Sequence, residues 1–255
     1  MIATSSTTPQ GTHSAEFSEL RRAQGLLNAF LWSSDISYRI VAESKDPRLA
    51  NLGRKASEVL ASVKARAWYP NMKGLPHYRK SVGGFLKDVA ANETYVYRGI
   101  IVQWHAAFES YLDRRMHPYL GKVRNWGPLT STLCCPQLLL ATKPVQLTTV
   151  LRSDIIRKLR NECAHGQAPL PQSINDKRVG EWKKHVSIDL KKRFWPVTDL
   201  DKAVTDAIQH VFGGVEFRLQ EVPPADRPLE AAYFYALFSF TNLNALAREI
   251  EAALG

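Results

Sequence analysis

Leu147, Leu151, Ile155 and Leu159 recur at every fourth position between Pro144 and Pro169. That spacing predicts a helix with one narrow buried edge. The same period returns elsewhere. Phe17, Leu20, Leu27, Phe30 and Leu31 predict a helix over 17–32. Asp46-Pro47 reads as an N-cap with proline at the first helical position, followed by Leu49, Leu52, Ala56, Val59, Leu60, Val63 and Ala67 up to Pro70. Asn92 is the expected cap of a helix that carries Tyr97, Ile101, Trp104, Phe108, Tyr111 and Leu112 and closes at Pro118. A short helical stretch is expected at 137–141, with further helices at 199–212 and 227–254. The fold class is therefore all-α. One exception is expected: 170–196 reads as irregular, and His185 to Leu190 alternates well enough for one short β element after the helix of 144–166.

Gly74, Pro76, Gly83 and Gly84 make 71–90 an expected irregular connection. The chain accordingly divides into a Ser/Thr/Pro/Gly-rich flexible tail (1–14), an N-terminal helical extension (15–90) and a main domain (91–255). No internal repeat is visible.

Lysine and arginine number 34 against 24 acidic residues, a net charge of +10. Such a balance favours a polyanionic partner, nucleic acid or an anionic membrane surface, without choosing between them. Cys134 and Cys135 are adjacent and Cys163 stands alone, so neither a disulfide framework nor a zinc-type spacing is visible. The first ten residues lack the basic region and apolar core of a secretory signal. The most apolar run, Ala231 to Phe240, is too short to span a bilayer. A cytoplasmic protein without membrane, metal or cofactor is the expectation.

The helix that ends near Gly166 carries the run R-K-L-R-N-E-C-A-H-G, Arg157 to Gly166. Arg160 and His165 supply the two side chains that metal-free RNA cleavage requires. Histidine moves protons near neutral pH, and arginine grips phosphate oxygens with a planar fork. At about 100° per residue, Asn161 and His165 share a face, whereas Arg160 and His165 diverge by about 140°. Leu159 points away from the Asn161/His165 face into the core. Gly166 fits the position just past the helix end. The alternative is structural: His165 favoured by the helix dipole and Arg160 solvated or ion-paired.

The R-N-x-x-A-H-G segment resembles the signature of the HEPN family, all-α domains that are often ribonucleases. A second segment, Tyr97 to Leu112, carries A-F-E-S-Y-L at 107–112 and resembles the helix with which such domains commonly open. The likeness covers about 92–255. It implies a metal-independent endoribonuclease in which the RNA 2′-OH attacks the adjacent phosphorus, giving 2′,3′-cyclic phosphate and 5′-OH ends. His165 would move protons, Arg160 would stabilise the phosphorane, and Asn161 would orient His165 or bind phosphate. Glu109, the acidic residue of the upstream helix, would hold Arg160 or His165 in place; as a surface glutamate it would do neither. His105 lies one turn before Glu109 and could pair with it. The likeness further implies a composite site at a homodimer interface, a prokaryotic defence, toxin or stress role, and a regulatory protein or effector partner. It also leaves open a non-catalytic dimerisation or RNA-binding module, or an adaptor for a larger effector. His165-Gly166-Gln167 lacks the tyrosine two residues after the histidine that HEPN toxins modified by a nucleotidyltransferase usually carry. That partnership is not expected.

Beyond the motif, Lys177, Arg178, Lys183, Lys184, Lys191, Lys192 and Arg193 surround Trp182 and precede Phe194 and Trp195. Cations for phosphates and aromatic faces for bases make an expected single-strand RNA contact. A solvated loop with its tryptophans packed inward is the alternative.

Overall fold

In the computed structural model the described residues are 13–43, 82–121, 127–166, 169–190, 195 and 200–255. They form an all-α fold with no strand among them. The main helices are α1 (Ala15–Glu43), α2 (Val82–Leu120), α5 (Leu147–His165), α6 (Lys177–Leu190), α7 (Leu200–Ile208) and α9 (Arg227–Leu254). Two single turns, α3 (Leu129–Thr132) and α4 (Pro136–Leu139), precede α5. A π-helical turn at Gln209–Gly213 joins α7 to α8 (Gly214–Leu219). No described helix is long and apolar enough to cross a membrane.

The predicted stripe on α2 makes it the central element. Tyr97, Ile101, Trp104, Phe108, Tyr111 and Leu112 are all buried, and α2 packs against α1, α9 and α5. Two of its aromatic side chains find polar partners inside the core. Trp104 Nε1 donates to the Ser239 carbonyl at 3.0 Å, and the Tyr111 hydroxyl lies 2.9 Å from Glu251 Oε1 and 3.2 Å from the Ala247 carbonyl. On α1, Phe17, Leu20 and Leu31 enter this same core. Ser14 caps α1 through a 3.1 Å bond from the Phe17 amide.

Several boundaries differ from expectation. α2 begins at Val82, ahead of Asn92, so Gly83 and Gly84 lie inside a helix rather than a connection. It also runs past Pro118 to Leu120: the proline lies in the final turn and withholds one hydrogen bond, to the Arg114 carbonyl, too near the end to matter to the helix as a whole. The expected helix from Asp46 to Pro70 lies outside the described residues. The expected β element is overturned. Residues 177–190 form one helix, α6, which Asp176 caps by accepting the Arg178 amide at 3.0 Å. Val179 and Trp182, three apart, are buried, so the apolar period across this segment is helical. The six-residue alternation at its end was too short a window to reveal that.

α5 lies with Leu147, Leu151, Ile155 and Leu159 buried, as its stripe predicts. Asp154 on the same helix anchors α3, accepting the amides of Leu129 at 2.7 Å and Thr130 at 3.1 Å. Gly166 ends α5 as expected, and does so in an extended conformation (φ −106°, ψ 143°). Its glycine is required by space: a Cβ would stand 2.8 Å from the Glu162 carbonyl oxygen.

Candidate functional site

Arg160 and His165 leave α5 on different sides, as their spacing predicts. Arg160 turns toward α2. Its Nη2 donates to Glu109 Oε2 at 2.8 Å and its Nη1 to Asn161 Oδ1 at 2.9 Å. Glu109 is thus a partner of Arg160 and not a free surface glutamate. The two side chains are about a quarter exposed, 26% and 23%.

Behind Glu109 stands His105, entirely buried. Its Nδ1 is 3.4 Å from Glu109 Oε1 without completing a hydrogen bond, and its Nε2 has no partner. Burial pushes the Glu109 carboxyl up, but His105 and Arg160 outweigh it and hold the group below the usual carboxylate range. Glu109 is therefore a carboxylate at neutral pH, fixed between a buried imidazole and a guanidinium.

His165 is exposed at the other side. It lines an open groove of about 560 Å³ with Arg157, Lys158, Asn161, Glu162 and Gly166. Arg160 is not among the lining residues. Asn161 bridges the two sides: its side chain accepts from Arg160 while it also lines the groove.

Two arginines fix the chain where the motif ends. Arg98, buried on α2, donates from Nη1 to the Gly166 carbonyl at 2.7 Å. Arg178 donates from Nη2 to the Pro169 carbonyl at 2.6 Å and pairs with Glu162 at 3.2 Å and Asp176 at 3.2 Å. Tyr235 of α9 adds a 2.7 Å bond to the Pro171 carbonyl. Neither the Arg98 nor the Glu162 contact was foreseen from sequence. Arg98 sits in the quoted upstream segment, but only the fold brings it to Gly166. Cys163, next to this clamp, is kept protonated: burial pushes its thiol up to about 12, and Arg98 pulls back only in part.

The residues predicted to contact RNA separate into three groups. Lys177, Lys183 and Lys184 are exposed on α6, with Lys177 3.9 Å from Glu181. Arg178 is half-buried and committed to Glu162, Asp176 and Pro169, which makes it a structural clamp. Trp182 is a correction: only 6% exposed, it packs edge-on to Phe212 with centroids 6.2 Å apart and offers no face to a base. Trp195 is likewise buried, its Nε1 donating to the Thr130 carbonyl at 2.7 Å. Lys191, Lys192, Arg193 and Phe194 lie outside the described residues.

Among the described residues no three His, Cys, Asp or Glu side chains come together as a metal-ligand set. Compared with known proteins, the chain matches no family model, no curated protein and no solved structure.

Proposed function

We propose that the chain is a HEPN-type endoribonuclease that cleaves RNA through its own 2′-OH and works as a homodimer in the cytoplasm. The observation that carries this reading is the contact of Arg160 with Glu109: the two segments that resemble the family meet at these residues. A guanidinium held on two sides loses little freedom when it engages a phosphorane, and preorganised charge is what stabilises such a transition state. His165, exposed and open to a groove, is placed to accept the 2′-OH proton or return one to the leaving 5′-oxygen. Because Arg160 and His165 face apart, one protomer holds an incomplete site. A two-fold axis near the end of α5 would bring His165 of one copy to Arg160 of the other. A role in prokaryotic defence or stress, under a regulatory partner, belongs to the same proposal.

A second reading has its own support. Arg160 is neutralised by Glu109, and a guanidinium used as an internal ion pair fits a non-catalytic dimerisation or RNA-binding module, or an adaptor. Cleavage of mixed RNA in EDTA separates the two. The nuclease reading expects cyclic phosphate and 5′-OH ends, no reaction on 2′-O-methyl RNA, and loss of cleavage in both Arg160→Ala and His165→Ala. Binding without cleavage would leave the module. Light scattering showing monomer alone at micromolar concentration would remove the composite site.

A further inference from the structure

Lys158, Asn161, Glu162 and His165 are spaced i, i+3, i+4 and i+7 on α5, so they form one face. That face lines the groove described above. Glu162, one turn beyond Lys158, is the natural partner for its ammonium. The partnership does not form, because Arg178 reaches over from the first turn of α6 and takes Glu162 Oε2 at 3.2 Å. Arg178 is held there from two more directions, by Asp176 and by the Pro169 carbonyl. Lys158 is left without an ion pair to any described residue, while its half-buried side chain shares the lining of a small pocket with Ile155, Leu159 and Trp182. Arg157, the neighbouring cation, is engaged by Asp154 at 3.1 Å and so does not compete for a ligand at full strength. Burial pulls the Lys158 pKa down, Glu162 pulls it back and Arg157 presses it down further; the net shift is downward. An anion placed in the groove would relieve both the burial and the like charge.

We infer that Lys158 is an anion-binding residue that seats a phosphate oxygen beside His165. The groove is then a phosphate subsite on the side of α5 opposite Arg160. The inference deepens the nuclease reading: it rests on it for RNA as the source of the phosphate, and free phosphate is the other source of the same chemistry.

The test uses the full chain and two probes that cannot be cleaved, inorganic phosphate and a short 2′-deoxy oligonucleotide, with the His165 ring protons and the Gly166 amide followed by NMR. Both probes should shift these signals, the oligonucleotide at lower concentration if a nucleic-acid backbone is the true source. Lys158→Met keeps the packed stem and should weaken the response about tenfold. It should also reduce the slope of log affinity against log salt for the oligonucleotide by about 0.7, one single-strand phosphate contact. Arg178→Gln frees Glu162 to pair with Lys158 and should weaken binding in the same direction, whereas Lys183→Gln on α6 should leave the His165 response unchanged. No shift at His165 with either probe, or the same affinity and slope in Lys158→Met, overturns the inference. The two readings fail separately. Groove binding through Lys158 in a protein that does not cleave RNA sinks the nuclease and leaves the subsite. Full cleavage with unchanged binding in Lys158→Met does the reverse.

Discussion

The two sides of α5 present the same helix to opposite surroundings. On one side Arg160 is gripped by Glu109 and Asn161, with buried His105 completing the wall behind. On the other, His165 and Lys158 face an open groove whose lining carboxylate, Glu162, is paired with Arg178. A cation held by a fixed anion is rigid and already partly neutralised. A cation beside a groove is available to a ligand and is costly until one arrives. Only four residues of sequence separate Arg160 from His165, yet one is held against α2 and the other faces solvent. Within one chain, Asn161 is the residue that touches both sides.

The largest expected effect lies beneath the open side. The alternative to base stacking holds for Trp182: it is buried edge-on against Phe212 and lines a small pocket with Ile155, Leu159 and Phe212. Trp182→Ala should cost about 3–5 kcal/mol, the usual loss for truncating a buried large aromatic. Urea unfolding measures it. A change under about 1 kcal/mol would return Trp182 to the surface and erase the contrast between a packed floor and a free rim.

Arg160→Ala comes next. Breaking a buried ion pair costs about 3–5 kcal/mol, whereas an exposed pair is worth about 0–1 kcal/mol. With both side chains about a quarter exposed, a loss of about 1–3 kcal/mol is expected. The ion pair to Glu109 is what makes this substitution costly. A double-mutant cycle with Glu109→Gln should return a coupling of about 1 kcal/mol or more. Additive losses would mean that the pair does not hold Arg160.

The same pair sets a pH dependence. Glu109 has a folded-state pKa below its unfolded one, so its contribution is fully present above the unfolded value of about 4.3 and is lost as pH falls through the folded pKa. Glu251 adds in the same sense: burial raises it, but Ser14, Tyr111 and Arg115 hold it low. The urea midpoint should fall between pH 6 and pH 3, and Glu109→Gln should make that fall shallower. An equal fall in both proteins would place the acid sensitivity elsewhere.

What the sequence made legible follows from the range of the interactions. Period and capping are local, so the α5 stripe, the α2 core residues and the divergence of Arg160 from His165 could all be read directly. Glu109 was found because a family likeness pointed to its helix, not because spacing did. The contacts of Arg98 with Gly166 and of Arg178 with Glu162 are set by how helices pack, and no local pattern encodes them. Trp182 and the false strand failed for one reason: charge composition and six-residue alternation dominated a segment whose helical period shows only across Asp176, Val179 and Trp182. Gly166 could be placed just past the helix end, but the closeness of the Glu162 carbonyl, which excludes a side chain there, shows only in the fold.

The smallest expected effect is His165→Ala. The side chain is exposed, no described residue donates to it or accepts from it, and truncation opens no cavity. Surface substitutions of this kind change stability by less than about 0.5 kcal/mol. A protonated imidazole at a helix C-terminus is worth about 0.3–1 kcal/mol at low salt and less when salt screens it, so the comparison is made at moderate salt. Stability of Arg160→Ala and His165→Ala, measured side by side, therefore reads the asymmetry of α5 directly. Activity should not follow it: if the nuclease reading holds, the variant that costs almost nothing in stability should lose cleavage as completely as the one that costs most. A stable His165→Ala that still cleaves would remove the histidine from the chemistry. A His165→Ala destabilised as much as Arg160→Ala would show that the open side of the helix is covered by contacts its exposure does not reveal.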